Sequence, residues 1–128
     1  MSIPDEITQA LLEMSVELRA AFVVALRGAL ADPAPYEVHP DEPFLAYEMS
    51  PSVERVLDQA YEAGLIVPFD WAAWIDGRDM TEIIVDTDAS ALALLTAIVR
   101  ADRFSDGTLA SAFDNGTMRR ILEQLAGE

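Results

Sequence analysis

Asp88–Leu125, DASALALLTAIVRADRFSDGTLASAFDNGTMRRILEQL, is the longest run of this chain with an unbroken helical pattern. Asp88 offers a short side-chain acceptor just ahead of the apolar periodicity and is read as an N-cap. Leu92, Leu95, Val99 and Phe104 then recur at near-helical spacing, and Leu94 and Ile98 widen the stripe. A helix this apolar is expected to be buried on more than one side. Arg100 and Arg103 fall in its last turn, where cations suit the negative end of the helix dipole. Ser105-Asp106-Gly107 breaks the pattern and starts a short helix with Leu109, Ala110 and Phe113. Asp114-Asn115-Gly116 ends it, and Thr117 is read as the cap of a last helix carrying Met118, Ile121, Leu122 and Leu125. Three consecutive helices joined by tight turns follow from this stretch alone.

Outward from it, the rest of the chain reads as elements that pack on this scaffold. Ser2 and Pro4 open an N-terminal helix with Ile3, Ile7, Leu11 and Met14 on one face. Ser15 can restart it, so residues 1–31 are one helix or a helix pair, stopped by Asp32-Pro33. Residues 32–50 form an acidic loop in which prolines and acids interleave with Tyr36, Phe44 and Tyr47. Tyr36–His39 could form a short extended edge, but Pro40 and Pro43 argue against a paired central strand. Ser50-Pro51 opens an amphipathic helix with Val53, Val56, Leu57 and Ala60 on its inner face and Gly64 at its end. Asp70 caps a short helix containing Trp71 and Trp74. The pair is read as anchoring this turn in the core, with an exposed binding pair as the alternative. Ile83–Val85 is read as extended.

The expected architecture is mainly α. It is a single compact domain, residues 1–128, of about six or seven helices, several of them short. One long irregular acidic loop and at most one short extended segment complete it, with residues 51–125 as the helical core.

Charge is the strongest compositional feature. The chain has 23 acids against 8 bases, all arginine, for a net charge of −15. Residues 32–88 alone carry 14 acids and 2 arginines. Such a field disfavours direct contact with nucleic acid or an anionic membrane and favours a basic protein partner. The candidate partner-binding residues are Glu37, Asp41, Glu42, Glu48, Glu54, Asp58 and Glu62, of which the last three repeat every four residues along one helix. Arg100 and Arg103 are the natural members of an anion or ligand site. Without cysteine there are no disulfides and no thiol chemistry. No apolar run reaches about 18 residues, and no basic-then-apolar leader opens the chain, so the expected location is cytoplasmic.

Catalytic and metal chemistry find little footing. One histidine, His39, is too few for a zinc site, and Asp86-Thr87-Asp88 lacks the continuation of a calcium loop. No phosphate-binding, dinucleotide-binding or nucleophile-elbow glycine pattern occurs. A helix-turn-helix centred on Gly116 would put Ser111 and Asn115 where apolar packing residues belong. Its second helix would offer only Arg119 and Arg120 to phosphates. No catalytic residue, metal or cofactor is therefore assigned.

Val67-Pro68-Phe69-Asp70-Trp71-Ala72-Ala73-Trp74 and, later, LLTAIVRADRFSDGTL (residues 94–109) resemble a bacterial family, domain of unknown function 6508, over about residues 65–125. The resemblance implies a small, mainly helical domain and supplies no catalytic residues. In the residues themselves, Asp102, Arg103 and Asp106 are expected to brace the turn between two helices. Phe104 is expected to plug the core, and Gly107 to allow close approach; Trp71, Trp74, Phe104, Asp106 and Gly107 form the structural motif.

The function expected from charge, size and missing catalytic motifs is that of a non-catalytic acidic binding protein. It would be an inhibitor or nucleic-acid-mimic decoy of the phage anti-CRISPR or anti-nuclease type. Alternatives are an antitoxin or immunity protein, and a small enzyme or ligand-binding domain using Arg100, Arg103 and Asp106. A homodimer burying Tyr36, Phe44 and Tyr47 stands beside the monomer.

Overall fold

A computed structural model of the chain describes residues 3–38, 47–104 and 107–127, with the side chains of Val38 and Tyr47 excepted. In order it contains α1 (Asp5–Glu13), α2 (Val16–Ala31), β1 (Tyr36–Val38), β2 (Tyr47–Met49), α3 (Pro51–Glu62), α4 (Trp71–Ile75), a 3-10 turn (Met80–Glu82), α5 (Asp88–Asp102), α6 (Thr108–Asp114) and α7 (Thr117–Ala126). The chain is mainly helical, as its periodicity predicts.

Helix α5 is the axis of the molecule. Every residue from Ser90 to Val99 is buried, so the helix is covered on all sides rather than along one stripe. Helices α1, α4, α6 and α7 pack on it, and α2 packs on α7 and on α3. The extended segment Leu65–Val67 is also buried. Thr96, fully buried on α5, holds it there: its hydroxyl accepts from Val67 N at 3.0 Å and donates to the Leu65 carbonyl at 3.2 Å. A backbone segment with no strand partner among the described residues thus has its Val67 N–H and Leu65 carbonyl satisfied by one side chain, while the Leu65 N–H donates to the Ala60 carbonyl at 2.9 Å.

The N-terminal segment is a helix pair. Met14 leaves the helical region, and Ser15 caps α2 by accepting from Leu18 N at 3.3 Å. Ser50 and Pro51 open α3 as expected, and Asp70 caps α4 through Ala73 N at 3.2 Å.

Four expectations need correction. The N-cap of α5 is Thr87, with Asp88 as the first helical residue; Thr87 and Ser90 exchange reciprocal hydrogen bonds there. The cap of α7 is Gly116 rather than Thr117, and α6 begins from Gly107, both in the left-handed conformation. Neither glycine has a side chain with which to cap. A neighbour supplies the acceptor instead: Asp102 accepts from Leu109 N at 3.0 Å, and Asn115 accepts from Thr117 N at 3.0 Å. The acidic loop contains two strands, not at most one extended segment. β1 and β2 pair antiparallel with Glu37 opposite Glu48; Pro40 and Pro43 lie outside the described residues. Finally, Phe104 does not plug the core: it is 83% exposed. Helix α5 ends at Asp102, so the periodicity no longer decides where residue 104 lies. Ile83–Val85 pairs with no strand among the described residues, although Ile83 is buried and its carbonyl accepts from Arg120 at 2.7 Å.

Candidate functional site

Two surfaces stand out, one acidic and one basic. The acidic one is built on α3. Val53, Val56 and Ala60 turn one face of this helix into the core, which forces Glu54, Asp58 and Glu62 onto the solvent side. Successive members rise about 6 Å along the axis, so the three carboxylates form a row about 12 Å long. Like charges four residues apart repel, and Arg55 is the cation on this helix. The strand pair that leads into α3 adds Glu37 and Glu48, exposed and directly opposite each other in the register. Like charges at opposed positions are again unfavourable in themselves. Asp41 and Glu42 lie outside the described residues, as do His39, Phe44, Ser105 and Asp106. Tyr36 of the aromatic loop packs edge-on against Phe113, with ring centroids 6.1 Å apart.

Arginines elsewhere are largely engaged in holding the fold. Arg19 donates to the Leu125 carbonyl through Nε and Nη2, at 3.2 and 2.9 Å, and through Nη1 to Asp88 at 2.8 Å. Burial raises the Asp88 pKa, but the hydrogen bonds from Arg19 and Gln124 and the charge of Arg19 outweigh it and leave it below the usual carboxylate value. Arg120 donates to the carbonyls of Met80, Thr81 and Ile83. Arg78 lies over the Trp74 ring at 4.4 Å and donates to the Trp74 carbonyl. The sequence gives no sign of the Arg19 and Arg120 roles, because each pairs a side chain with a distant carbonyl whose position depends on the fold.

Arg100 and Arg103 differ. They sit at the end of α5 beside Pro68, Phe69, Trp71 and Phe104, and together these residues line a groove of about 480 Å³. Arg103 donates to the Tyr61 hydroxyl at 3.1 Å. Arg100 has no hydrogen-bond or ion-pair partner among the described residues. The expected tryptophan pair is divided between two environments. Trp74 is buried, edge-on to Phe69, whereas Trp71 is half-buried and stacks on Phe104 with ring centroids 6.2 Å apart. Of the turn residues, Asp102 braces α6 through Leu109, and Arg103 reaches across to α3.

No three His, Cys, Asp or Glu side chains converge among the described residues, and none of their helices is long and apolar enough to cross a membrane. No curated protein and no solved structure matches the chain. A family model does match, over residues 43–127, which takes in β2 and every helix from α3 to α7. The match spans most of the chain and all of its core axis, and the chain belongs to that family, described as a family of unknown function (DUF6508).

Proposed function

We propose that this chain is a non-catalytic acidic binding protein whose partner is a basic protein. The observation that supports the reading is the α3 face. Three carboxylates are aligned in a row that the fold itself holds rigid, because the opposite face of the same helix is core. The row costs stability in the free protein, and a basic partner would turn that repulsion into attraction. Regularly spaced carboxylates on a fixed backbone present to a nucleic-acid-binding groove the charge pattern that phosphates present. An inhibitor or decoy that occupies such a groove, or an immunity protein that covers a basic toxin, uses the same surface.

The test is capture from a lysate of the source organism on the immobilised protein, eluted in rising salt. The expected result is one basic protein, released as ionic strength rises and the Debye length falls below about 8 Å. Retention of no basic protein contradicts the proposal.

A further inference from the structure

The groove at the end of α5 opposes the sign of the rest of the molecule. In a chain of net charge −15 it is lined by two arginines and, among the described residues, by no acid. Its apolar side is equally out of place. Phe104 is 83% exposed and, with the half-buried Trp71 stacked on it, forms a continuous aromatic surface rather than a scattered apolar residue. The Tyr61 hydroxyl fixes Arg103 from α3, so one cation is oriented before any ligand arrives. Arg100 keeps all its donors available among the described residues.

We infer that this groove binds a small planar anion, with a flat ring seated on the Trp71–Phe104 surface and a phosphate or carboxylate held by Arg100 and Arg103. Each part of the site accounts for one part of that ligand. Exposed aromatic rings stack on flat π-systems with little regard for their substituents. Two guanidiniums bind a phosphate or carboxylate through paired N–H donors. The ring and the anion must also be joined. The carbonyl end of α5 is negative and repels a free anion, and two cations together with stacking are needed to outweigh it. The inference is independent of the acidic face on α3, which uses none of these side chains.

Calorimetric titration of the full chain tests it, with adenosine monophosphate as the phosphate-bearing probe and indole-3-acetate as the carboxylate-bearing one. Adenosine and inorganic phosphate serve as the separated halves of the first probe, and indole and acetate as those of the second. The expected result is saturable one-to-one binding of at least one probe, about tenfold tighter than either half. Arg100→Gln and Phe104→Ala should each weaken it about tenfold. Neither side chain is buried, so both variants should stay folded with at most a small shift in thermal unfolding, and Arg119→Gln on α7 should bind normally. Preference for one probe identifies the favoured combination of ring and anion. Failure of both probes to bind, or binding indifferent to Arg100→Gln and Phe104→Ala, overturns the inference.

Discussion

Arg19 and Asp88, 69 positions apart in sequence, meet at 2.8 Å where α2, α5 and α7 converge. Asp88 stands at the positive end of α5, and the Arg19 guanidinium also closes the negative end of α7 through the Leu125 carbonyl. Gln124 completes the group by donating to the other Asp88 oxygen at 3.0 Å. One carboxylate therefore ties together three helices. Because its folded pKa lies below the unfolded value, its stabilisation is present at neutral pH and is lost as pH falls through the folded pKa. Asp88→Asn should cost about 1–2 kcal/mol at pH 7, a figure held down by the partial exposure of both partners. The difference from the parent chain should shrink below about pH 4. Thermal unfolding across pH measures both, and a difference constant down to pH 2 would contradict the assignment.

Thr96→Val keeps the shape of the side chain and removes its hydroxyl. The Val67 N–H and the Leu65 carbonyl then lose their buried partner. The expected cost is about 1–3 kcal/mol in urea denaturation. If the variant is as stable as its parent, Thr96 does not hold the extended segment on α5.

Gly116 has φ +89° with nothing within 4 Å of an added Cβ, so space is not the constraint there. Gly116→Ala should nonetheless destabilise the chain by about 1–2 kcal/mol, because only backbone strain is introduced. Gly28, in an ordinary helical conformation with equal room, is the control, and Gly28→Ala should stabilise by roughly 0.5–1 kcal/mol. Equal effects at the two sites would refute the conformational argument.

Neutralising the acidic row with Glu54→Gln, Asp58→Asn and Glu62→Gln should raise stability by roughly 0.5 kcal/mol at low salt. The gain should disappear at high salt, where surface charges are screened. A loss of stability would mean that these carboxylates support the fold.

The core was legible because α5 and α7 carry their periodicity in unbroken runs, and a helix apolar on several faces has one place to go. The caps at Ser15, Ser50 and Asp70 were legible for the same local reason. Reading failed where geometry depends on what lies across the fold. Thr87 rather than Asp88 caps α5 because Ser90, not the usual glutamate or glutamine, completes the reciprocal pair. Phe104 follows the last turn of a helix, beyond the reach of periodicity. Thr96 sits in an apolar run, and nothing in the sequence marks the extended segment it serves. Arg100 and Arg103 are legible as charges; the aromatic surface beside them is not, because the apolar spacing alone directs Phe104 to the core.

The most direct test of the binding proposal compares the parent chain with the variant carrying Glu54→Gln, Asp58→Asn and Glu62→Gln in parallel captures from the same lysate. The account predicts that the parent retains a basic protein that elutes as salt rises, and that the neutralised variant, folded and no less stable, does not retain it. Equal retention by the two chains, or no basic protein retained by the parent, would contradict the claim that the α3 face is the binding surface.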